Sequence, residues 1–128
     1  MLQPSEVTAA KLLPTIRSRL AQELLEVHKL KQVKVARALG ITQAAVSHYN
    51  TKSRGLDAEL MVRFPEIDAF CTTLAARIAG GMSQTEQIAT IDRFCDGLMH
   101  TVRFCDYHKQ ISDIDANCMI CFPSPPKP

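Results

Sequence analysis

Gln43, Ala44, Ser47 and His48 recur at a spacing that puts all four on one face of a short helix. Together they offer an amide, a methyl, a hydroxyl and an imidazole. A glutamine amide pairs bidentately with an adenine edge, an alanine methyl touches a thymine methyl, and serine and histidine reach a base or a phosphate. Thr42, just before them, is of the type that caps a helix N-terminus and completes this surface. Gln32 opens a preceding helix, where its side chain and amide can meet a backbone phosphate. Lys52 and Arg54, with Lys31 and Lys34, flank the unit and supply phosphate contacts that ignore sequence. The chemistry expected of this set is the reading of double-stranded DNA.

A second constellation lies late in the chain. Cys95, Cys105, Cys118 and Cys121 follow the pattern Cys-x9-Cys-x12-Cys-x2-Cys, and His108 stands three residues after Cys105. Zinc on Cys105, His108, Cys118 and Cys121 suits the two short two-residue gaps, because each pair can wrap one side of a tetrahedral ion. An iron–sulfur cluster on Cys95, Cys105, Cys118 and Cys121 suits four thiolates. Free thiols are the third reading. Cys71 stands apart on the apolar face of its own helix and reads as a buried structural thiol.

Helices must position these groups. Ser5–Leu13 reads as a capped helix that Pro14 punctuates. Ile16, Leu20, Leu24 and Leu25 predict an amphipathic helix over about Thr15–His28. Val35, Ala36, Leu39, Gly40, Ile41 and Val46 then form a helix, a glycine turn and a second helix. Ala36 permits close approach, Gly40 takes the positive φ, and Tyr49 closes the end. This is the sequence form of a helix-turn-helix. A polar loop over Asn50–Gly55 precedes a helix at Asp57–Arg63. Pro65-Glu66 starts another, which Gly80-Gly81 stops, and Ser83-Gln84-Thr85-Glu86 is a capping box for a helix reaching Leu98. Past residue 100 the helical signal fades, and the proline-rich 123–128 is expected to be a disordered tail. The expected fold class is all-α: a helix-turn-helix bundle, further helices and an irregular cysteine-rich end. The expected units are a DNA-binding domain at 1–64, a helical dimerisation or connector region at 65–99, a metal-binding segment at 100–122 and the tail.

Charge separates the same two regions. Residues 1–56 carry nine Lys/Arg against three Glu, a net +6, while the rest carries −4. A basic half around the paired helices fits a polyanion-binding module joined to another function. The 128 residues are 46% hydrophobic and 22% charged, as in a soluble globular protein. No apolar run reaches the roughly 18 residues of a membrane span. No basic stretch followed by an apolar one opens the chain, so a cytoplasmic protein with reduced thiols is expected. No Ser/His/Asp order, phosphate loop or carboxylate pair stands in a credible context, so the chain is not expected to be an enzyme.

The run Lys31-Gln32-Val33 through Leu39-Gly40-Ile41-Thr42-Gln43-Ala44-Ala45-Val46-Ser47 resembles the Cro/C1 (XRE-type) helix-turn-helix regulators. With Pro65-Glu66-Ile67, Phe104-Cys105 and Cys118-Met119-Ile120-Cys121, it is similar to an archaeal-type subgroup that ends in a cysteine cluster. The resemblance implies a transcriptional regulator that binds a pseudo-palindromic site as a homodimer. It also favours the iron–sulfur reading on Cys95, Cys105, Cys118 and Cys121, as a sensor of oxygen, redox state or iron. Relatives of this kind carry a further cysteine shortly after Cys95, where this chain has Asp96-Gly97-Leu98-Met99. The alternative function is a DNA-associated adaptor with a structural zinc site and no sensing role.

Overall fold

The computed structural model describes residues 3–50 and 58–111 of the chain. It is all-α, and no strand occurs among the described residues. Lys52, Arg54, Cys118, Cys121 and the 123–128 tail lie outside them.

The chain opens with α1 (Pro4–Val7), set by Gln3, whose N–H donates to Glu6 Oε1 at 3.0 Å. The expected break at Pro14 does not occur. A wide π-helical turn, Thr8–Leu12, carries the chain directly into α2 (Leu13–Glu26). Proline removes one N–H and crowds the carbonyl four residues back, and a widened turn is how a helix absorbs both. Thr15 Oγ1 donates to Lys11 O at 2.8 Å, giving a carbonyl of this turn a partner.

α2 is the central element. Its buried Ile16, Leu20, Ala21 and Leu24 form a seam at positions i, i+4, i+5 and i+8. α6 (Glu66–Ala79) packs along it with Ile67, Cys71, Leu74, Ala75 and Ile78. Arg19 fastens the pair at one edge, bonding Glu23 on its own helix and Asp68 on α6, each at 2.7 Å. α2 ends with Lys29 at φ 55°, a left-handed position held by a lysine. From there the chain enters α3 (Gln32–Leu39) and α4 (Gln43–Asn50), which pack on each other and on α2.

After α5 (Ala58–Arg63), Phe64 plunges fully into the core and Pro65 starts α6. Gly81, at φ 104°, lets Met82 N–H reach back to Arg77 O at 3.2 Å and end α6. Ser83 then caps α7 (Gln84–Met99), accepting from Glu86 N–H at 3.2 Å. α7 lies across the π-helical turn, where Thr8 Oγ1 comes within 3.8 Å of Met99 Sδ.

Helix continues as far as Ile111, contrary to the expectation that it fades past residue 100; the rest of the expected irregular end, 112–122, lies outside the described residues. α8 (Val102–Ile111) buries Phe104, Cys105, Tyr107 and His108 on one face. Phe104 and Tyr107 pack on Phe64, with ring centroids 6.1 and 6.0 Å apart. Arg103 pairs with Glu66 at 3.1 and 2.6 Å and lies over the Phe64 ring, while Arg63 lies over Tyr107 and bonds Gln110. Aromatic packing and cation–π contacts hold α8 against the core.

Candidate nucleic-acid interface

The α3–α4 unit is built around Gly40. Its φ of 67° is a left-handed conformation that a side chain at this position would oppose. Ile41 N–H returns to Ala36 O at 3.0 Å and Gly40 N–H to Arg37 O at 3.4 Å, so the end of α3 closes as a Schellman motif. Ile41 packs into the core, and Val35, Ala36 and Val46 are buried in the seam. Thr42 Oγ1 accepts from Ala45 N–H at 3.1 Å, fixing where α4 begins. Tyr49 packs against the core at the far end of α4.

With Val46 turned inward, the opposite side of α4 carries Gln43, Ala44, Ser47 and His48, all exposed. The structure thus gathers these four expected readers on one outer strip. Gln32 is half-buried in the first turn of α3, and Lys31 precedes that helix without a side-chain cap. Lys31, Lys34 and Arg37 are exposed and form no ion pair among the described residues.

Two residues absent from the sequence-level site hold this unit in place from outside. Gln84 Nε2 donates to Arg37 O at 3.0 Å. Gln87 Nε2 donates to Ala38 O at 2.8 Å and to Met82 O at 3.4 Å. The first turns of α7 therefore give the carbonyl of Ala38 a partner and that of Arg37, which already accepts from Gly40 N–H, a second one. Gln87 is only 5% exposed, on a stripe continued by Ile91, Cys95 and Leu98. A glutamine on an otherwise apolar stripe is the signal that could have found it, because a buried amide must have partners.

The late sulfur and nitrogen donors are partly in view. Cys95 faces a cavity of about 200 Å³ lined by Thr8, Ile16, Arg17 and Asp92 among others. Burial pushes its thiol up to about 11. Cys105 and His108 are buried on α8. No three His, Cys, Asp or Glu side chains converge as a metal site among the described residues. Both expected ligand sets also require Cys118 and Cys121, which lie outside the described residues. Cys71 is buried between α2 and α6, its Sγ 3.8 Å from Ile16 O.

Comparison with protein-family models, curated proteins and solved structures finds no match to this chain. No helix among the described residues is long and apolar enough to cross a membrane.

Proposed function

We propose that this protein is a sequence-specific DNA-binding regulator of transcription, built as a Cro/C1-like helix-turn-helix bundle. α4 acts as its recognition helix. The observation that carries this reading is the exposed strip Gln43, Ala44, Ser47 and His48, on a helix whose start is fixed by Gly40 and Thr42. Such a strip has the dimensions and hydrogen-bonding groups to enter a major groove. The exposed Lys31, Lys34 and Arg37, before and on the neighbouring helix, support it, since cations next to a reading helix draw in a phosphate backbone. A homodimer placing two copies of α4 about one DNA turn apart completes the proposal.

Selection from a random pool of DNA duplexes tests it. Enrichment of a two-fold symmetric site is expected. Gln43→Ala should then narrow the ratio of specific to non-specific affinity by roughly tenfold or more, since a bidentate base contact is worth about 1–3 kcal/mol. No enrichment, with only salt-sensitive binding of every duplex, would replace the regulator with the sequence-blind adaptor.

A further inference from the structure

A groove beside α3 joins those same cations to an apolar surface that a phosphate backbone would not cover. Lys31, Val33, Lys34, Arg37 and Ala38 form one wall of a shallow groove of about 590 Å³. The end of α6 and the turn into α7 form the other, with Ile78, Ala79, Gly80, Gly81 and Met82. Three cations line this groove and no acid does. Its floor is apolar. Val33 is 51% exposed there, although it sits in a helix with buried neighbours.

A phosphate backbone would use the cations and leave the floor wet. An apolar peptide would use the floor and leave three cations without partners. A helix with acids along the flank that meets α3 and an apolar residue on its centre line uses both, as in helix-in-groove recognition. We propose that this groove docks an acidic amphipathic helix of a partner protein, its carboxylates pairing with Lys31, Lys34 and Arg37 and its apolar ridge covering Val33 and Met82. The site shares Lys31, Lys34 and Arg37 with the proposed phosphate contacts but uses none of Gln43, Ala44, Ser47 or His48, so it does not depend on α4 reading bases.

The test titrates the full chain with a fluorescent helical peptide of Glu, Leu and Ala, of roughly 16 residues, against the same peptide with Lys for Glu. Saturable binding of the acidic peptide alone is expected, weakening as salt rises. Lys34→Glu with Arg37→Glu should weaken it by about tenfold or more, through like-charge contact. Val33→Ser, which leaves every charge in place, should weaken it about threefold to tenfold by removing apolar contact. All three positions are exposed, and unchanged thermal unfolding verifies that the variants fold. Three results would overturn the proposal: no saturation by the acidic peptide, equal binding of the basic one, or indifference to Val33→Ser. Indifference combined with displacement of the peptide by an arbitrary duplex would assign the cations to phosphate.

Discussion

Gln87 of α7 donates to the carbonyl of Ala38 at 2.8 Å, so a residue 49 positions away completes the last turn of α3. Gln87→Leu keeps the bulk and removes the donor, stranding the part-buried carbonyls of Ala38 and Met82. It should cost about 1–3 kcal/mol, read as a lower urea midpoint at unchanged slope. Gln84→Ala, at an exposed site, should stay within about 0.5 kcal/mol. If Gln84→Ala proves the more damaging, the amide of Gln87 is not what joins the two helices.

Gly40→Ala places a methyl group at φ 67°, 3.1 Å from the Gln84 side-chain amide. The amide can swing away, so the backbone term dominates, at about 1–2 kcal/mol of lost stability. The DNA-binding reading adds a second expectation. Affinity for a selected duplex should fall by more than the unfolded fraction explains, because the start of α4 moves.

Lys29 occupies the same left-handed region, at φ 55°, without being glycine. Lys29→Gly relieves about 1–2 kcal/mol of backbone strain and gives back about 0.5–1 kcal/mol through a freer unfolded chain. A net gain of roughly 0.5–1 kcal/mol is expected, visible as a rise in melting temperature of a few degrees. A melting temperature that falls would mean that the Lys29 side chain contributes more than its backbone costs.

Alkaline solution should weaken the α2–α6 seam through Cys71. Burial pushes this thiol up from 9.0 to about 12, so the folded state keeps the neutral form. The contribution is fully present below about pH 9 and is lost as the pH climbs towards about 12, because only the unfolded chain ionises in that window. Cys71→Ala should roughly halve the fall in urea midpoint between about pH 8 and about pH 10, leaving the comparable share due to Cys95. An unchanged slope would remove Cys71 from the account.

Acid should act on α8. The Arg103 guanidinium, hydrogen-bonded to Glu66, holds that carboxyl below its usual value of 4.5. The stabilisation is present above that value and is lost as the pH falls through the lower folded one. The pair is partly exposed, so screening limits it to about 1 kcal/mol or less. Glu66→Gln should therefore lower the urea midpoint slightly at neutral pH, and the gap from the natural chain should close in acid. A gap that persists would point to lost packing instead of lost charge.

The parts of this fold that act over a few residues were legible in the sequence. Ala36, Gly40, Ile41, Thr42 and Ser83 each do their work within five positions, so their types declare the α3–α4 turn and the start of α7. What escaped depends on distant partners. Phe104 and Tyr107 read as stray aromatics until Phe64, some forty residues earlier, supplies the surface they cover. Pro14 reads as a stop until a widened turn accommodates it. Gln87 reads as one more polar residue until Ala38 O lies opposite.

The approach of Thr8 to Met99 has a consequence in time. The two residues are 91 positions apart, and the entropy of closing a loop grows with its length. The α3–Gly40–α4 hairpin closes over a handful of residues and is expected to condense early in folding. The seam between the N-terminal turn and the end of α7 is then among the last to form and the first to open. A chain emerging from synthesis would thus assemble its α3–α4 unit well before Thr8 meets Met99.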